Sequence, residues 1–172
     1  MTEKINALFV MDYLNLAGAH QWGNLPDDLW WKLVSSLRKL KVDGIGFQNV
    51  FQEDELPKHL TDSLKPKRLH IAKYKPYHGE SSPDIAVFNL TDDFRDFLLS
   101  KHLNAWDRAN EKLPYDEVCF FCVDKIRIQA VPYESQLLFY SFSKQDVRTL
   151  FSIDARFRDG LYYQDRLERV LM

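Results

Sequence analysis

Three aspartates stand beside short apolar stretches of the chain: Asp12, Asp84 and Asp124. A carboxylate at the end of a strand is a common anchor for a hard divalent cation, and such a cation activates water for attack on a phosphodiester. If the three converge, they form a Mg²⁺ or Mn²⁺ site and the chain is a metal-dependent nuclease or phosphodiesterase. On that reading Asp12→Asn abolishes turnover and leaves the fold intact. Cys119-Phe120-Phe121-Cys122 has the spacing of a redox pair. A redox thiolate, however, needs a helix start in a polar turn. Here both cysteines lie in the apolar run 118–123, where an odd spacing on a strand sends the side chains to opposite faces. Zinc needs further ligands, and these are the only two cysteines. They read as packing residues. His20, His59, His70, His78 and His102 form no HxH or HxxxH pair. His102 reads as a partly buried helix residue, and His70 and His78 as exposed strand and loop residues.

Residues Lys67, Arg68, His70, Lys73, Tyr74 and Lys75 make the one concentrated basic and aromatic stretch. Cations beside stacking rings suit an anion or a single-stranded nucleic acid, with affinity that falls steeply as salt rises. The C-terminal third is different in kind. Tyr133, Glu134, Tyr162, Arg166 and Arg169 supply the tyrosines and arginines that dominate protein–protein contacts. Tyr162, Arg166 and Arg169 are expected on the polar side of a final helix.

Around the first aspartate, Asp12-Tyr13-Leu14-Asn15-Leu16 resembles the opening motif of NYN/PIN-type nucleases, an acidic strand end followed by asparagine. The resemblance covers about ten residues and implies a metal-dependent nuclease in which Asp12 belongs to the metal site. Such nucleases place an acidic pair after a central strand, whereas Asp124 alone follows Val123 here.

The elements that must position these groups follow from hydrophobic period. Residues 7–12, 44–51, 68–74, 85–90, 117–123, 125–130 and 135–142 read as strands. Pro26-Asp27-Asp28 opens a helix, because proline fits the first turn and acids suit its positive end. Leu29, Trp30, Leu33, Val34, Leu37 and Leu40 then give that helix one apolar face. Thr91 with Asp92 and Asp93 starts a second helix, expected to reach residue 110. Ser143 and Asp146 have the form of a capping box and open a third, ending at residue 153. A last helix is expected over 161–171, and residues 53–64 read as a short helix or loop. Strand and helix alternate early and strands cluster late. The expected fold is α/β passing to α+β: one mixed sheet flanked by helices, with antiparallel hairpins in the C-terminal half.

The chain has 172 residues, 45% hydrophobic and 28% charged, the composition of one folded domain spanning 1–172. Its net charge of −2 gives no global pull toward nucleic acid or anionic membrane. No signal peptide opens the sequence and no apolar run is long enough to span a bilayer, so the cytoplasm is the expected compartment. Gly44-Ile45-Gly46 lacks the third glycine of a dinucleotide loop. No GxxxxGK[ST], GxSxG or HExxH occurs, which argues against nucleotide-dependent enzymes, serine hydrolases and zincins. With aromatics at 14%, the first expectation is a non-enzymatic domain that binds another protein and needs no cofactor. Small bacterial toxin-immunity proteins and other inhibitors have this general profile.

Overall fold

Apolar residues at successive positions of a strand place both of its surfaces in contact with something, and residues 118–121 are the clearest case. Val118 and Phe120 join one buried cluster while Cys119 and Phe121 join another. The computed structural model describes residues 4–10, 26–49, 68–73, 84–100, 115–131, 136–165 and 168–171. In chain order these form β1 (Lys4–Val10), α1 (Asp27–Ser35), a 3₁₀ turn (Leu37–Leu40), β2 (Gly44–Asn49), β3 (Arg68–Lys73) and β4 (Asp84–Asn89). Then follow α2 (Asp92–Ser100), β5 (Tyr115–Cys122), β6 (Lys125–Val131), β7 (Gln136–Ser143), α3 (Lys144–Ile153), α4 (Arg156–Gly160) and β8 (Leu161–Tyr163).

The strands form one 8-stranded sheet in the order β3-β4-β2-β5-β6-β7-β1-β8. The single sheet, its flanking helices and the hairpins of the C-terminal half match the expectation. Every described ladder is antiparallel. The β5–β6–β7 meander stands between β2 and β1. At Gly44 the strands approach closely: a Cβ there would meet Val87 Cγ1 at 2.9 Å and Phe121 Cβ at 3.2 Å.

Helices cover one face. Leu29, Trp30, Leu33 and Val34 of α1 are fully buried. The Trp30 indole donates to the Leu98 carbonyl of α2 at 3.0 Å, and its ring lies 6.1 Å from that of Phe120. From α4, Phe157 packs at 4.9 Å from Phe9 and 6.2 Å from Phe139, ring centre to ring centre. Burying four such large apolar side chains from α1 alone contributes on the order of 6–12 kcal/mol before conformational entropy is subtracted. A network of charges fixes α1 to α4. Arg156 donates to Asp154 at 2.8 and 2.9 Å and forks onto Asp28, while Lys32 reaches Asp154 at 2.6 Å. The Arg156 hydrogen bonds hold the Asp154 carboxyl well below the usual carboxylate range, and Asp154 and Asp28 raise Arg156 in turn.

One element differs outright from expectation. The segment expected as a final helix instead forms β8 and a return strand-like bridge between Tyr162 and Arg169. Tyr163, Leu167 and Val170 mimic helical spacing, but β1 offers an edge that needs hydrogen-bond partners, and the segment supplies them. Val170 N–H then donates to Leu161 O and Tyr163 N–H to Glu168 O, at 2.9 and 2.8 Å. The second helix is described from Asp92 to Ser100, and its expected continuation to residue 110 lies outside the described residues, as does the segment 53–64. No described helix is long and apolar enough to cross a membrane.

Val123, in the turn between β5 and β6, has φ of 59° and is 67% exposed. A β-branched residue resists that left-handed region. The Asp43 carboxylate holds it there, accepting the Val123 N–H at 2.9 and 3.2 Å. Val123→Gly therefore stabilises the fold by about 0.5–1 kcal/mol, the relief of strain exceeding the added chain entropy. Asp43→Ala destabilises it by about 1 kcal/mol. Both shifts are read from the midpoint of urea denaturation.

Candidate binding site where β1 begins

Two bulges shape this end of the sheet. On β6, Phe120 of β5 pairs with Ile128 but Phe121 pairs with Ile126, so Arg127 is the extra residue. On β7, Ala7 of β1 pairs with Phe139 but Ile5 pairs with Phe142, so Tyr140 and Ser141 together face Asn6. Ser141 sits at φ of 53°, and its N–H donates to Asn6 Oδ1 at 2.8 Å.

Arg127 joins the two bulges. Its Nη1 donates to the carbonyls of Tyr140 at 3.2 Å and Ser141 at 2.6 Å, the bonds those carbonyls lost when the ladder slipped. Its Nη2 meets Asp146 Oδ2 at 2.6 Å, and its guanidinium lies 4.3 Å from the centre of the Phe142 ring. Asp146 is the third residue of α3 and completes the expected capping box with Ser143: Ser143 N–H and Oγ donate to its carboxylate at 2.9 and 2.6 Å, and Asp146 N–H donates to Ser143 Oγ at 3.2 Å. Lys41 adds a fourth donor at 3.0 Å. Burial alone pushes the Asp146 carboxyl up, but the bonds from Ser143, Lys41 and Arg127 prevail and hold it far below the ordinary 3.8.

Over the β7 bulge lies an open depression of about 600 Å³. Lys4, Asn6, Ser141, Tyr163, Gln164 and Asp165 line it. Gln164 N–H donates to Asn6 O at 3.0 Å, which carries the β8 pairing one residue further and sets Asp165 at the rim. Among the described residues, neither the Lys4 ammonium nor the Asp165 carboxylate is ion-paired.

The residues singled out from sequence fall elsewhere. Asp84 begins β4 and Asp124 lies, exposed, in the turn after β5. Asn89 and Phe121 both pair with Gly44, and Asp84 and Asp124 lie beyond that level in opposite directions. They are thus more than about 17 Å apart along the strands and cannot share an ion whose oxygen ligands sit within about 2.6 Å. Asp12 lies outside the described residues. β1 itself ends five strand positions from β4, about 24 Å along the sheet. No group of three or more His, Cys, Asp or Glu suited to a metal occurs among the described residues. Of the basic stretch, Arg68, His70 and Lys73 lie on β3, the edge strand, while Lys67, Tyr74 and Lys75 fall outside the described residues, as do Tyr133, Glu134 and Arg166. Cys119 is buried against Ile85, Val87 and Phe121, Cys122 is half-buried, and neither is in a disulfide.

Tyr162 is corrected from an exposed helix residue to a strand residue only 8% exposed. It stands opposite Arg169 on one side and Leu8 on the other, and Leu8 stands opposite Leu138. Leu8 and Leu138 pack with Val131 and Tyr140 on the sheet face away from the helical core, and Tyr140 Oη donates there to Gln129 at 2.7 Å. Neither Lys4, Asn6, Ser141 nor Asp165 drew notice in the sequence, because none has a type or spacing that marks chemistry. Arg127 had a signal: an arginine between Ile126 and Ile128 in the middle of a strand must be paired if it is buried.

No family model, no curated protein and no solved structure matches this chain.

Truncating Arg127 leaves Asp146 short of a partner and two bulge carbonyls unbonded, so Arg127→Ala destabilises the fold by about 3–5 kcal/mol in chemical denaturation. The pH dependence has a definite sign. Because the folded state lowers the Asp146 carboxyl from 3.8, its stabilisation is full above that value and is lost as pH falls below it. Denaturation midpoints therefore drop from about pH 5 to pH 2, and Asp146→Asn flattens that drop.

Proposed function

We propose that this chain is a protein-binding domain that neutralises or regulates one partner, in the manner of a small inhibitor or toxin-immunity protein. The partner docks at the β8 edge, on the sheet face away from the helical core. The observation that carries this reading is the exposed pair Arg169 and Leu171, set on the β8 edge by the bridge from Arg169 to the buried Tyr162. Arginine is among the side chains most often responsible for affinity at protein interfaces. Leu171, 79% exposed and two residues past Arg169, extends the apolar contact. Two cysteines outside any disulfide suit the reducing cytoplasm, where we place the protein.

Affinity capture with the wild-type chain and with Arg169→Glu tests the reading, with circular dichroism to show that both are folded. The expected result is a single near-stoichiometric partner that survives moderate salt on the wild-type chain and is lost from Arg169→Glu. A partner retained equally by both chains moves the interface elsewhere. No partner on the wild-type chain overturns the binding reading.

A further inference from the structure

The depression where β1 begins has features of a second, separate recognition site. It holds one ammonium, from Lys4, and one carboxylate, from Asp165, lining the same hollow yet not paired with each other. Opposite charges that face one cavity without meeting leave room between them for a molecule with the reverse pair. Neutral groups complete the lining. Asn6 spends its Oδ1 on the Ser141 N–H, which leaves its NH₂ as a donor, and the Ser141 hydroxyl and Gln164 amide offer both donor and acceptor. Ile5 and Tyr163 add apolar surface for a small side chain. The backbone beneath is held in place, because Arg127 takes the two carbonyls of the β7 bulge and Asn6 takes its free N–H. A floor fixed in this way loses little freedom when a ligand arrives. Left-handed backbone at a non-glycine residue, here Ser141, is also the kind of strain that gathers at ligand sites.

The geometry points to a site for a small zwitterion, a free amino acid or short peptide with both ends charged, held between Lys4 and Asp165. The ligand carboxylate meets Lys4 and its ammonium meets Asp165, while Ser141 and Gln164 bond the groups between. This site is independent of the partner-docking face, so either can fail without the other.

Amide NMR on the full chain tests it, following the Ser141 and Gln164 signals during titration with alanine, dialanine and trialanine. Each probe is used intact, N-acetylated and C-amidated. Saturable shifts are expected for at least one length, and that length reports the spacing of the two charges. Blocking either end weakens binding about tenfold or more, as expected for loss of a charge-assisted hydrogen bond. Lys4→Met makes binding weaker and indifferent to amidation, and Asp165→Asn makes it weaker and indifferent to acetylation. Both side chains are exposed, so the variants keep the fold. Absence of saturable shifts with all three lengths overturns the proposal, as does equal binding of intact and blocked probes.

Discussion

The ion pair between Arg127 and Asp146 is the constraint around which the described structure is arranged. A guanidinium inside a sheet is expensive to desolvate, and it persists only when its donors are met in good geometry. Here the partners come from two elements at once: a carboxylate at the start of α3, and two carbonyls and the Phe142 ring of β7. Asp146 is committed in turn to the capping box that begins α3 and to Lys41 after the 3₁₀ turn. One pair therefore sets the offset of two neighbouring bulges, the start of a helix and the position of a loop.

The two sides of the sheet are used differently. One carries the main core, with Trp30, Phe9, Phe139 and Phe157 interlocked beneath the helices. The other carries two smaller clusters, around Phe121 and around Leu138. Near β8 the second side mixes tyrosine, arginine and leucine, whereas the depression at the strand ends mixes opposite charges with amides and a hydroxyl. The two proposals divide accordingly, a partner protein for the first region and a small polar molecule for the second.

Period and capping were legible in the sequence. The alternation in β5, β6 and β7 and the Ser143–Asp146 box each depend on residues within one turn or strand, and each appears where expected. What depended on distant segments was not legible. Residues 161–163 carry an ambiguous pattern, and only the unfilled edge of β1 decides that they become strand. Asp84 and Asp124 look alike in sequence, each beside an apolar stretch, but the antiparallel order sends them to opposite ends of the sheet. Lys4 and Asp165 are ordinary surface residues until β1 and β8 pair. Arg127 alone announced that it needed a partner, without saying which.

The place of β1 in the sheet has a consequence for how the chain comes to be folded. Its hydrogen-bonded neighbours are β7 and β8, and the Asn6–Ser141 bond spans 135 residues. A chain made from its N-terminus exposes Ile5, Ala7, Leu8 and Phe9 long before either neighbour has been synthesised. Until then the hairpins β3–β4 and β5–β6–β7 can close from local contacts, but the strand that completes the sheet has nowhere to go. Contacts of such long range slow folding, and an unpartnered apolar strand is a point of aggregation while it waits. Among the described strands, the last to be synthesised are thus the ones that give shelter to the first.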